Sequence, residues 1–321
     1  MSAPVVVTDL AKTFYDEGRG EIKAVDSISF ECHEGEIFGL LGANGAGKTT
    51  TLRMLSTILA PTSGTASLMG HDVVRHPEGV RKNLGFYSAT TALYPRLTTR
   101  ETIEFFARIN QYPAYHVRAR VEYLIRRFGL EKYADARIEK LSSGMKQKVS
   151  IARTVAHDPA ILIFDEPTVG LDVLNALDVQ ETISELRAEG KTIIFSTHIM
   201  SEAERLCDRI AIIHDGHILA SASLAELRRV TGEHYLEDIF VLYVRTASVG
   251  EPAGSQQAAA TRKPDRAQHN EKLCTEAIRD ERLRMQAREG EAINKDERLR
   301  MQAREGEAIN KKVGPTPNKT V

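Results

Sequence analysis

Apolar positions along the chain as far as Tyr243 follow two alternating rhythms. VVVTDL, SISFEC, EIFGLL, LGFY, AILIFD, TIIFST and IAIIH are short runs rich in β-branched and aromatic residues, each of strand length. Between several of them the apolar residues recur at helical spacing. HVRARVEYLIRRFGL brings Val117, Val121, Leu124, Ile125 and Phe128 to one face, and NALDVQETISELRAEG does the same with Val179, Ile183 and Leu186. That second helix lies between AILIFD and TIIFST, two continuous apolar runs of the kind buried on both sides of a parallel sheet, so the three predict a strand–helix–strand crossover. His214-Asp215-Gly216-His217, between IAII and ILA, predicts a tight hairpin turn. The pattern predicts an α/β fold with a mainly parallel sheet, an antiparallel β portion near the N-terminus and a helical insertion over about 92–145.

Both rhythms stop near residue 245. All ten phenylalanines and nine tyrosines lie at or before Tyr243, and the chain has no tryptophan. Beyond that point it carries DERLRMQAREGEAINK twice in tandem, at Asp280–Lys295 and Asp296–Lys311. Leu283, Met285 and Ile293 make no stripe at helical spacing, and Gly290 and Gly306 interrupt any helix. Residues 1–245 are therefore expected to form the folded domain, and 246–321 a solvated tail, disordered or loosely helical, with a partner-binding helix as the alternative.

Charge changes the picture by exclusion. The 43 basic and 44 acidic residues leave a net charge of −1, which gives no whole-chain field toward nucleic acid. Cys32, Cys207 and Cys274 are far apart and odd in number, which points to neither a disulfide framework nor a zinc site. Met1–Leu10 lacks the layout of a secretion signal, and no apolar run approaches the roughly 18 residues of a membrane span. The expectation is a chain in a reducing, cytosolic compartment that does not itself cross a membrane.

Against that background the chemistry is concentrated in a few stretches. EIFGLL runs into Gly42-Ala43-Asn44-Gly45-Ala46-Gly47-Lys48-Thr49-Thr50, a complete G-x-x-x-x-G-K-T between a strand and a helix. Such a loop curls its backbone N–H groups around phosphates, its lysine reaches the terminal phosphates and its threonine hydroxyl can ligate Mg²⁺. ILIFDEP ends a buried strand with Asp165, the expected Mg²⁺ carboxylate, followed by Glu166, a candidate general base for an attacking water. TIIFSTH ends the next strand at His198, where a γ-phosphate contact competes with a purely structural role. KLSSGMKQKVS, Lys140–Ser150, is a second Ser-Gly loop opening a helix and thus a second anion cradle.

These motifs, in this order, resemble the ATP-binding subunits of ABC transporters over roughly Val5–Tyr243. The resemblance implies ATP and Mg²⁺ as cofactors. It also implies a signature loop at Leu141, Ser142, Ser143, Gly144 and Met145 that contacts the ATP held by a partner domain's phosphate loop. Two phosphate cradles in one chain then serve two different nucleotides. By the same likeness His198 is a switch histidine, Asp172 belongs to a dimer-interface loop, and Phe14 stacks on adenine, with Tyr15 as the fallback and a core aromatic as the bland reading. The implied assembly is a homodimer, or a heterodimer with a related ATPase subunit. It drives a separate polytopic membrane permease, with Leu93–Ile109 receiving it, and no nucleic acid is involved. The chain would sit at the cytoplasmic face of the membrane, held through the permease.

Three positions depart from the family pattern. Ser143 and Met145 stand where the signature usually has Gly and Gln, and Ala89 stands where a loop glutamine is usual, leaving that role open to Ser88, Thr90 or a bridging water. LGFYSATTALYPRLTTRETIEFF is similar to the sodium-exporting (NatA-like) branch and related exporters, which implies the type of permease engaged and leaves the cargo open among sodium, a drug or other small hydrophobic molecule, and a lipid, polysaccharide or peptide. The rival expectations are a soluble ABC-type ATPase acting on ribosome or DNA, and a module that holds ATP without hydrolysing it.

Overall fold

The computed structural model describes residues 3–18, 20–88 and 91–249. Ala89, Thr90, Cys274 and the tandem repeat lie outside the described residues.

Val5–Asp16 (β1) and Gly20–Cys32 (β2) pair antiparallel, and Ile37–Leu41 (β3) runs into the helix Lys48–Leu55 (α1). Ser63–Leu68 (β4) returns beside β1 and pairs with His71–Asp72 (β5), giving an antiparallel sheet in the order β2-β1-β4-β5. Pro77–Asn83 (α2) leads into Leu84–Ser88 (β6). The helices Thr99–Ile109 (α3), Val117–Arg127 (α4) and Ser143–Thr154 (α5) come before Ile161–Asp165 (β7). Val173–Ala188 (α6) then crosses to Thr192–Thr197 (β8), and Met200–Leu206 (α7) leads to the hairpin of Arg209–His214 (β9) and His217–Ala222 (β10). Leu224–Thr231 (α8) and Leu236–Val249 (α9) follow. The second sheet has the order β10-β9-β3-β8-β7-β6, parallel except for the β9–β10 hairpin.

Continuous apolar strands make a sheet that must be covered on both faces, and alternate side chains show it. On β7, Ile161 and Ile163 pack with Leu52, Met54 and Leu55 of α1 and with the N-terminal sheet. Leu162 and Phe164, facing the other way, pack with Leu124, Ile125, Val149 and Ile183 of α4, α5 and α6. Burying each such side chain contributes about 1.5–3 kcal/mol, so these two layers hold the sheet rigid. The helical insertion is started by caps written in the sequence. Thr98 and Glu101 form a capping box on α3, and Ser142 caps α5 by accepting from the Met145 N–H. No helix among the described residues is long and apolar enough to cross a membrane.

Candidate active site

The parallel strands β3, β7 and β8 end at one edge, and the chemistry-bearing residues gather there. Gly42–Thr50 leaves β3 and wraps the start of α1. At Gly47 (φ 108°) a Cβ would sit 2.6 Å from the Ala24 carbonyl oxygen, and at Gly42 one would sit 2.4 Å from that of Ile213, so only glycine fits either place. The β9–β10 turn braces the loop: the Gly216 N–H donates to Ala46 O at 3.0 Å, and the Asp26 N–H donates to Gly216 O at 2.9 Å. Sequence reasoning had placed this turn but not its contact with the phosphate-loop backbone.

Lys48 is buried, 4% exposed, and donates to the carbonyls of Gly42 (2.7 Å) and Ala43 (3.1 Å). Its ammonium also lies 3.1 Å from Glu166 Oε1. Thr49 Oγ1 donates to Asp165 Oδ1 at 3.1 Å. Lys48, Thr49 and Glu166, together with Ala24, Asn44, Gly45, Gly47 and Thr50, border a cleft of about 190 Å³.

Glu166 has φ 48°, a left-handed backbone that costs a non-glycine residue about 1–3 kcal/mol. The kink breaks the strand after Asp165 and turns Glu166 to Lys48 and to His198, whose Nδ1 lies 3.3 Å from Glu166 Oε1. Burial alone would raise the Glu166 carboxyl, but the hydrogen bond and charge of Lys48, with His198 adding to them, outweigh it and hold the group below the usual carboxylate range. Asp165 goes the other way. Burial pushes it up, and hydrogen bonds from Ser196 and Thr49 offset only part of that effect. Adjacent carboxyls with opposite shifts suit different tasks.

Other expected residues stand apart. Leu141–Met145 and Phe14 are not among the residues lining the cleft. Ser142 and Ser143 are exposed at the start of α5, while Leu141 is buried. Phe14 lies opposite Ile22, 41% exposed, with Lys12 Nζ 5.3 Å from its ring centre. Asp172 caps α6 by accepting from the Asn175 N–H at 3.0 Å, next to the exposed Val173 and Leu174. Asn175 Oδ1 in turn approaches Gly144, where a Cβ would meet it at 3.0 Å.

Sequence reasoning missed the residues that tie α5 to its neighbouring loops. Gln147 Nε2 donates to the carbonyl of Pro167, next to Glu166, at 2.8 Å. Arg153, 4% exposed, donates to the carbonyls of Thr91 (2.9 Å) and Ala92 (3.2 Å) and lies over the Phe106 ring at 5.2 Å. The Ser-Gly loop marks where α5 begins, yet nothing in the sequence tells which loop a polar side chain will reach.

Residues 25–169 match the family described as ABC transporter. Over 238 residues the chain is 40% identical to the ABC transporter ATP-binding protein NatA of Bacillus subtilis (strain 168), covering 74% of this chain and 96% of that protein. Over 208 residues it is 44% identical to the Nod factor export ATP-binding protein I of Paraburkholderia xenovorans (strain LB400), covering 65% of this chain and 68% of that one. A dimeric structure of a post-hydrolysis state of the ATP-binding cassette MJ0796, bound to ADP and Pi, matches with a TM-score of 0.62 at 26% identity, over 68% of this chain and 98% of that one.

Proposed function

The chain belongs to the ATP-binding subunits of ABC transporters, and on that premise we propose that the cleft between the Gly42–Thr50 loop and Glu166 is its hydrolytic site and that Leu141–Met145 completes the site of a partner. The protein binds and hydrolyses ATP as the ATPase subunit of an exporter. The observation that carries the residue assignment is the position of Glu166 Oε1, 3.1 Å from Lys48 Nζ and 3.3 Å from His198 Nδ1.

In this reading the N–H groups of Gly42–Thr50 and the start of α1 hold the phosphates, and Lys48 pairs with the terminal ones. Thr49 Oγ1 and Asp165 Oδ1 converge within 3.1 Å, a neutral and an anionic oxygen of the kind a hard divalent cation takes. These two residues would hold Mg²⁺, which when bound neutralises charge developing on the phosphates. Glu166, ionised at neutral pH, takes the proton of the attacking water. As Lys48 turns to phosphate, the charge that holds the Glu166 carboxyl down is shared, and the carboxylate becomes a stronger base. His198 orients Glu166 and meets the γ-phosphate, and Phe14 offers a face to adenine.

The exposed Ser142 and Ser143 and the exposed apolar Val173 and Leu174 support a dimer that sandwiches two nucleotides, built from two copies or from this chain and a related subunit. A separate permease then docks on the helical insertion, where Tyr94 and Phe105 stack edge to face and remain half exposed, and this holds the subunit at the membrane surface. Sodium is the cargo supported by the likeness of Leu84–Phe106, and an organic cargo is the reading favoured by the relative named for Nod factor export. The domain is read as 1–245, with 246–321 as an appendage.

The test is Glu166→Gln. ATP binding should persist while turnover falls about 10²-fold or more. Turnover within about threefold of wild type would remove Glu166 as the base. Expressed with its permease, the same variant supplies the background for cargo: radioactive sodium efflux equal in the two pairs would discard sodium and leave the ATPase assignment standing.

A further inference from the structure

β8 carries a serine that touches both acids of the cleft. Ser196 is fully buried and lies opposite Asp165 in the β7–β8 register. Its hydroxyl donates to Asp165 Oδ1 at 2.8 Å and accepts from the Glu166 N–H at 3.0 Å, while its carbonyl accepts from the same N–H at 3.2 Å. The Glu166 N–H is thus held by one residue of the neighbouring strand, through both its hydroxyl and its carbonyl. A buried hydroxyl has one proton to give. By giving it to Asp165, Ser196 aims its lone pairs at the Glu166 N–H, so the acid that faces the threonine fixes the amide of the acid that faces the lysine.

We propose that Ser196 is a positioning residue for hydrolysis, holding the left-handed turn that aims the Glu166 carboxylate at Lys48 and His198. The strain at Glu166 makes this anchor necessary, because a left-handed glutamate persists only where its surroundings over-determine it. Without the hydroxyl, the N–H keeps only the longer bond to the Ser196 carbonyl, and the turn is free to relax toward extended backbone. The carboxylate then drifts, and a misplacement of about 1 Å in a reacting group costs up to about 10² in rate. Ser196 acts through Glu166, so the proposal rests on the reading of Glu166 as the base.

A double-mutant cycle separates the two claims. Ser196→Ala should lower kcat by about tenfold or more, with the ATP dissociation constant within about threefold of wild type. Amide hydrogen exchange at Glu166 should accelerate in the same variant, a readout independent of turnover. Ser196→Thr, which keeps the hydroxyl, should recover most of the rate, while Ser196→Cys, close in size and a weak donor, should resemble Ser196→Ala and exclude a packing defect. In a Glu166→Gln background Ser196→Ala should add almost nothing, because the group it positions is already gone. An equal further loss in that background would overturn the proposal, as would Ser196→Ala turning over at the wild-type rate. If Glu166→Gln itself keeps its turnover, the parent reading fails; accelerated Glu166 exchange in Ser196→Ala would then still report the anchoring.

Discussion

Two helix N-termini in this protein begin from the same device, a Gly- or Ser-bearing loop that turns backbone N–H groups outward, and they are finished in opposite ways. At α1 the cap residue is Gly47, which has no side chain to satisfy the helix, and the first turn is enclosed by its own chain: Lys48 is 4% exposed and engaged by two carbonyls and Glu166. At α5 the cap is Ser142, whose hydroxyl accepts from the Met145 N–H, and the turn stands exposed. The first gathers its acids from neighbouring strands. The second is capped by its own serine and draws no acid from the strands; in the proposed reading it turns its N–H groups toward a nucleotide held by a partner. A local motif therefore does not fix a role; what surrounds it does.

The largest effect should come from separating the two ends. Lys48→Ala and Ser142→Arg should each reduce turnover by about 10²-fold or more as single species, the first by removing the phosphate charge and the second by blocking the exposed turn. Mixed, they should regain part of the activity, since both lesions can fall on one composite site and leave the other intact. Full turnover by Ser142→Arg alone would break the comparison and make the α5 turn an ordinary cap.

A smaller effect tests the anchored end of α5. Just beyond it His157 Nε2 lies 3.1 Å from Leu84 O, and burial lowers this imidazole from 6.5 to about 4. The unfolded histidine takes a proton below about pH 6.5 and the folded one does not until about pH 4, so stability is complete above that window and falls as pH drops through it. His157→Gln keeps a donor for Leu84 O and removes the titration. Its melting temperature should fall less steeply than wild type between those two pH values, and parallel curves would show that His157 does not set the dependence.

The smallest effect should come from the tail. Deleting Gly250–Val321 should change the melting temperature by less than about 2 °C and leave ATPase activity unaltered, because a segment without aromatic residues adds little to a packed core. A fall of several degrees would show that it docks on the folded part.

The apolar runs made the parallel sheet legible before any coordinates: β3, β6, β7, β8 and β9 lie where those runs predict. β4 did not announce itself, because SGTASL reads as a loop when its partner strand is unknown; pairing with β1 makes it a strand. The hairpin of β1 and β2 extends to Asp16 and from Gly20 through mostly exposed residues, where alternation is weak. In the cleft, spacing and residue type singled out Lys48, Thr49, Asp165, Glu166 and His198. Ser196 and Gln147 stayed hidden because each acts across strands or between a helix and a loop, at separations of about 20–30 residues that carry no periodic signal.

Arg153 has a mechanical consequence. This cation is shared among α5, on which it sits, the carbonyls of Thr91 and Ala92, and the Phe106 ring of α3. Burial lowers its pKa, yet guanidinium remains charged, so withdrawing either carbonyl gives up a hydrogen bond to a charged group, a cost of about 1.5–3 kcal/mol. The clamp therefore favours the three pieces moving together. A load applied to the exposed face of α3 is then passed to the C-terminal turn of α5, where Arg153 sits, as through a lever with a riveted elbow, and bending is favoured at joints outside that rivet.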